Sequence, residues 1–286
     1  MPIISKSKGA PAAPVAKTSI AATPAGNPTS KTTLTDPSDN PSGALILYNN
    51  LLVTASNSSF DDCLTDGTWN GFASSIRNGN ALFQLGSATT IDTICIGAHN
   101  LGEDLATVVT VEVAATIGGA LTEVAEVTPT TNDALMFTFT AQSVAEIKIT
   151  WLGTSIPTKI SVVSAGVALQ MPRNIYGGHT PLAMSEEIEF QSVESESGQF
   201  LGRTVIRKGY KGSFKWQFLD DDWYRSDFNP FVKSAISKPF FIAWRPDLYS
   251  SEVFYGWTTA VIKPSNMGGG HKLMSVTLPI KGHLDI

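Results

Sequence analysis

The chain has 286 residues, of which 42% are hydrophobic, 9% aromatic and only 16% charged, with a net charge of −5. That length suits one large or two ordinary units with real cores, and the acidic balance speaks against generic nucleic-acid binding. No run of about 18 apolar residues is present to insert into a membrane as a helix, and two cysteines, Cys63 and Cys95, are too few for a disulfide scaffold or a structural zinc site.

Residues 1–42 differ from all that follows. They hold seven of the sixteen prolines, Pro11, Pro14, Pro24 and Pro28 among them, and no aromatic precedes Tyr48. The lysines near Met1 are followed by no apolar stretch, so a secretory signal is not expected. A segment of this composition cannot offset its ordering entropy with a core of its own. It reads either as a disordered leader or as an extended arm lying on a neighbouring subunit. The arm is the working expectation, because proline keeps the unbound form partly extended.

Residues 43–170 carry period-two patterns. Val109, Val111 and Val113 alternate with Thr110 and Glu112, and Leu135, Phe137 and Phe139 with Met136 and Thr138. Ile147, Ile149 and Trp151 repeat the pattern, and Ala81–Leu85, Thr93–Ile96, Leu121–Val127 and Ile160–Val163 are shorter candidates. Gly118-Gly119, Pro129 and Gly153 punctuate them. Many short strands without a long helix predict a sandwich.

Residues 171–286 form a second region, entered through a glycine-containing linker, Asn174–Pro181. Strands are expected at Glu187–Val193, Thr204–Phe218, Pro239–Trp244, Glu252–Ile262 and Lys272–Lys281. The acidic run Asp220-Asp221-Asp222 suits a helix N-terminus. Four of the six tryptophans lie here, so this half should have its own aromatic core. The expected fold is all-β: a jelly-roll sandwich, then a β-rich unit with a short helix, preceded by the arm.

The segment Ala81-Leu82-Phe83-Gln84-Leu85-Gly86, followed by Ile91-Asp92-Thr93-Ile94, resembles the signature of discoidin-type, galactose-binding-like jelly rolls, and Asp66-Gly67 with Trp69 is similar to that family's Asp-Gly turn. Phe83 stands where the family usually has Trp, and no disulfide pair brackets the segment. The resemblance implies a jelly roll over about 125 residues; sugar or lipid binding does not follow from a fold.

The whole arrangement resembles structural proteins of bacteriophage tails, with Gln199–Arg203 before a long strand and the strand–helix–strand passage Trp216–Phe218, Asp220–Ser237 and Pro239–Trp244. This resemblance implies a virion component of the tail tip, baseplate or collar, made in the host cytoplasm. It would assemble as a homo-oligomeric ring with other phage tail proteins through the arm and the C-terminal unit. The alternative is a carbohydrate-binding adhesion protein contacting a host surface glycan.

Motifs for catalysis are missing: there is no Gly-x-Ser-x-Gly elbow, His-Glu-x-x-His or P-loop. No enzyme activity, cofactor, nucleic acid or membrane insertion is expected. The four histidines are spread out, with His99 placed in an exposed loop. Gly268-Gly269-Gly270 precedes a strand and not a helix, so a hairpin is expected and not a phosphate cradle. Asp61, Asp62 and Asp66 read as a solvated acidic loop or as oxygen ligands for calcium. Cys95 is expected in the core and Cys63 in a loop. Trp69, Phe72 and Tyr176 are the loop aromatics that could stack on a sugar ring; a lone Trp between Asp-Gly and Gly more often plugs the end of its own sandwich.

Overall fold

The computed structural model describes residues 43–55, 58–68, 72–73, 78–104, 106–153, 155–268 and 272–283. The expected arm over residues 1–42, with Pro11, Pro14, Pro24 and Pro28, lies outside the described residues, and so does Trp69.

The chain is all-β, with two antiparallel sheets and one short helical passage. Strand β1 (Leu45–Leu47) leads directly into the first sheet, made of β2 (Leu52–Ala55), β3 (Phe72–Ala73), β4 (Gly79–His99), β5 (Val108–Ala114), β6 (Thr122–Val127), β7 (Leu135–Leu152) and β8 (Lys159–Gly166). Its order is β3-β8-β4-β7-β5-β6, with β2 on β4. The alternation in β5 is borne out: Val109, Val111 and Val113 are buried, and Thr110 and Glu112 less so.

Ala81–Leu85 and Thr93–Ile96 are not separate strands but parts of β4, and β7 likewise absorbs both Leu135–Phe139 and Ile147–Trp151. The first half of β4 pairs with the second half of β7, and the reverse, with register shifts between Gln84 and Thr89 and between Ile91 and Thr93. Such irregularities bend a strand without ending its ladder. The two long strands therefore curl one sheet into a sandwich around Phe83, Ile94, Val111, Phe137, Ile149 and Trp151.

The second sheet contains β9 (Leu169–Gln170), β10 (Glu186–Glu194), β11 (Phe200–Asp220), β12 (Phe240–Ala243), β13 (Val253–Thr258), β14 (Pro264–Asn266) and β15 (Leu273–His283). Its order is β10-β11-β15-β13-β12-β1-β9, with β14 on β15. Thus β1 and β9, at the two ends of residues 43–170, hydrogen-bond into the second sheet and not the first. The hairpin expected near Gly268 is the antiparallel pair β14–β15, with residues 269–271 outside the described ones.

Between β11 and β12 run α1 (Asp221–Trp223), a wide π turn (Tyr224–Phe228) and α2 (Asn229–Ala235). The Asp220 carboxylate accepts hydrogen bonds from the Asp222 and Trp223 amides, at 2.9 and 3.1 Å. This is the N-cap that the acidic run suggested. Pro230 follows at the start of α2, where its missing N–H is tolerated. The helical passage lays Phe228 and Phe231 on the sheet, with Phe231 edge-on to Phe240 at 5.0 Å and close to Phe214 and Trp216 in one cluster.

Strand β12 is buried on both sides, which explains its unbroken apolar run. Phe240 and Ile242 face the helical cluster. Phe241 and Ala243 join Leu45, Leu47, Val253 and Tyr255 against Cys95 and Val162 of the first sheet and against Ala134, which bridges to Val253.

Two expectations are corrected. His99 is fully buried near the end of β4 and not in an exposed loop; its Nδ1 accepts from the Leu101 amide at 3.2 Å, so burial leaves that polar atom matched. Cys63 is equally buried, and its Sγ donates to the Ile160 carbonyl at 3.1 Å. Cys95 is a core residue as expected; burial, and secondarily Asp92, holds its thiol well above the usual range.

Candidate functional site

The segment after β9 returns across the outer part of the second sheet, where the Tyr176 amide donates to the Lys215 carbonyl of β11 at 2.7 Å. Opposite that anchor the β11–β15 ladder loses register. Trp216 is paired with Val276, but the next partners are Leu219 and Met274, so β11 has one residue too many. The bulge contains Gln217 and Phe218. Phe218 has φ of +60°, in the left-handed region where a side chain is strained. Its amide donates to the Met267 thioether at 3.3 Å, and its side chain is turned out of the core, 45% exposed.

Bulges re-aim side chains, often beside binding sites. Here the result is a groove of about 770 Å³ lined by Tyr176, Phe218 and Trp223 together with Arg173, Asn174 and Gln217. Tyr176 is 52% exposed, so its ring is available to a ligand. Trp223 is half-buried, held by the helical start that Asp220 caps and by a tilted contact with Phe228 at 6.0 Å. The Asn174 Oδ1 is enclosed at the groove wall and has no hydrogen-bond partner among the described residues. Three aromatic side chains beside amide and guanidinium groups offer apolar faces and polar edges at once.

Of the three aromatics expected to meet a sugar, Tyr176 lies in this groove. Phe72 is in β3, its backbone paired with Ile160, and its side chain lies outside the described part. Trp69 is likewise outside. The described residues thus place one of the three, Tyr176, in this groove. Asp61 and Asp62 are exposed on a 3-10 turn, Ser58–Leu64, with Asp66 exposed just beyond it. Among the described residues, no three or more His, Cys, Asp or Glu side chains converge as a metal site.

Part of the chain is similar to solved carbohydrate-binding modules. The CBM32 module of AlyQ, in complex with 4,5-unsaturated mannuronic acid, is 23% identical, over 42% of this chain and 96% of that one, with a TM-score of 0.34. Chitosan-binding module 1 of a chitosanase/glucanase from Paenibacillus sp. IK-5 is 19% identical, over 41% and 98%, at 0.34. A pectin-binding carbohydrate-binding module is 17% identical, over 41% and 91%, at 0.34. No family model and no curated protein matches the chain.

Sequence reasoning missed Phe218 and Trp223. Phe218 reads as the end of a strand and Trp223 as a core residue. Phe214, Trp216 and Phe218 alternate with Lys215 and Gln217 without a break, so the residues before the bulge give no signal of it.

Proposed function

We propose that this protein is a non-catalytic carbohydrate-binding component, and that the groove beside the β11 bulge holds a glycan of a host cell surface. The observation that carries this reading is Phe218, kept in a strained backbone conformation that exposes an apolar ring beside Tyr176. Strain persists where the surrounding structure over-determines it, and it gathers at ligand sites. Sugar rings have C–H faces that lie against aromatic rings, and their hydroxyls exchange hydrogen bonds with amide and guanidinium groups such as Asn174, Gln217 and Arg173. A groove open along one side admits an internal stretch of polysaccharide as well as a chain end. Its support comes from the groove alone.

A glycan array of bacterial surface polysaccharides, followed by calorimetry on the best binder, tests it. Tyr176→Ala and Phe218→Ala should each weaken binding by about tenfold or more, equivalent to ~1.4 kcal/mol. No binding to any glycan at millimolar concentration, or two variants that bind like the parent chain, would overturn the proposal.

A second reading, a structural part of a larger assembly such as a phage tail, has one observation in its favour. The β10–β11 hairpin carries Ile188, Phe190, Val193, Phe200, Leu201, Val205 and Ile206, all exposed. Ile188, Phe190 and Val205 share one face of the hairpin, and an exposed apolar face marks an interaction site. Light scattering on the purified full chain tests it: a species that stays monomeric at all concentrations rules it out.

A further inference from the structure

We propose that the outer edge of β10 receives residues 15–23 of a second copy of this chain, so that copies join head to tail; this rests on the assembly reading above. Among the described residues strand β10 is the first strand of its sheet and pairs on one side only, with β11. Its nine residues, Glu186–Glu194, are almost all exposed, and among the described residues the ladder with β15 runs as far as Gly209 and the hairpin beyond it is two-stranded. Such a ribbon is marginal in water without a further strand or a covering layer. Its two faces differ. One carries Glu187, Glu189, Arg207 and Lys211, cross-linked by the pairs Arg207–Glu189 and Lys211–Glu187. The other carries Ile188, Phe190 and Val205, with the Arg203 guanidinium 3.6 Å above the Phe190 ring.

The charges choose the occupant. Strand β10 has four glutamates and no basic residue. Antiparallel self-pairing about Phe190 would set Glu186 opposite Glu194, and like charges directly opposed destabilise a ladder. A second β10 is therefore the wrong partner. Residues 1–42 carry Lys6, Lys8, Lys17 and Lys31 against Asp36 and Asp39, so their balance is opposite in sign. Within them Val15–Thr23 is free of proline and bounded by Pro14 and Pro24. It has nine residues, the length of β10, and contains the β-branched Val15, Thr18, Ile20 and Thr23 with Lys17. Prolines at both ends confine the pairing to that window, which is where an edge strand tolerates them.

The sheet order sets the distance to be spanned. The chain enters the described fold at Gly43, immediately before β1, which lies five strand spacings from β10, or about 24 Å. The 19 residues between Thr23 and Gly43 are long enough to cover that within one copy as well, so the second-copy assignment follows from the assembly reading and is what the mixing experiment decides. In a head-to-tail row the N-terminal segment of each copy emerges beside the β10 edge of the next, and a rotation that closes gives a ring.

The test uses the full chain, a chain lacking residues 1–42, and a chain with Glu186→Lys and Glu194→Lys, compared by light scattering after circular dichroism confirms that each is folded. The full chain should oligomerise, and either alteration should weaken association by about tenfold or more. Mixing the two altered chains should give a dimer and nothing larger, because one supplies only an edge and the other only a segment. An oligomer that survives both alterations overturns this inference and leaves the assembly reading standing. A full chain that is monomeric throughout overturns both. Altered chains that fail to combine show pairing within one copy and overturn the second-copy assignment.

Discussion

The Tyr255 hydroxyl donates a hydrogen bond of 3.0 Å to the main-chain oxygen of Asp66, 189 positions away in sequence. Tyr255 belongs to the second sheet and Asp66 follows the 3-10 turn beside the first, so the bond crosses the seam between them. The ring itself lies against Phe241 at 4.7 Å. Removing the hydroxyl alone keeps that packing and strands a carbonyl that water can partly reach. Tyr255→Phe should therefore lower unfolding free energy by about 1 kcal/mol, read as a shift of the urea midpoint without a change in slope. An unchanged midpoint would show that the bond contributes nothing net.

Alkaline pH probes the same seam. Tyr255 is held above the ordinary tyrosine value of 10.0 by burial first and by the Asp66 carboxylate second. Tyr210 is raised by burial, by the charge of Asp133 and by its 2.9 Å hydrogen bond to that carboxylate. In the unfolded chain both phenols ionise near pH 10, whereas in the folded chain they keep their protons to higher pH. Their contribution to stability is thus complete below pH about 10 and is lost as pH rises from there towards the folded values. Urea midpoints measured from neutral pH to above pH 10 should fall. They should fall less steeply in a Tyr210→Phe, Tyr255→Phe double variant. Parallel profiles for parent and variant would contradict the assignment.

Gly97 explains how closely the sheets approach. A Cβ at this position would lie 3.0 and 3.1 Å from two atoms of the Phe241 ring and 3.4 Å from the Tyr255 Cβ. Gly97→Ala should destabilise the protein by about 1–3 kcal/mol, as overpacking does, and Gly97→Leu by more, because the rings cannot retreat from the cluster behind them. Calorimetry distinguishes this from a local effect. A wedge that separates the sheets should broaden or split the thermal transition, whereas a transition that only moves would place the damage within one sheet.

What the sequence disclosed follows from how each element is buried. Strand β5 alternates because one of its faces meets the core and the other is half in water, so Val109, Val111 and Val113 were legible one by one. Strands β1 and β9 have three and two residues. No period can be read in so short a run, and both lie in the second sheet against expectation. His99 was misplaced because residue type suggests exposure, while a matched ring nitrogen, as with the Leu101 amide on Nδ1, lets a histidine go inside. The groove was legible by one residue in three. Tyr176 stands out as a loop aromatic, but it meets Phe218 and Trp223 only through its bond to Lys215, a pairing across 39 positions. The left-handed φ of Phe218 comes from an extra residue in the β11–β15 register, which no local pattern encodes.

That φ gives the last prediction. Phe218→Ala and Phe218→Gly both remove the ring from the groove, and both should abolish its part in glycan binding. They differ in the backbone. Alanine retains a Cβ at φ of +60°, while glycine occupies this region without steric penalty. Glycine also loses more conformational freedom on folding, which offsets part of the gain. The glycine variant should nevertheless be more stable than the alanine variant by about 1 kcal/mol, seen as a higher urea midpoint at equal slope. On the proposed function Phe218 gives up stability for sugar binding, so the glycine chain should unfold later than the alanine chain and bind glycan worse than the parent. Equal midpoints for the two variants would mean that the bulge relaxes once the ring is gone. In that case Phe218 is held out by its own side-chain contacts and not by the register of β11, and the groove loses its claim to be built for a ligand.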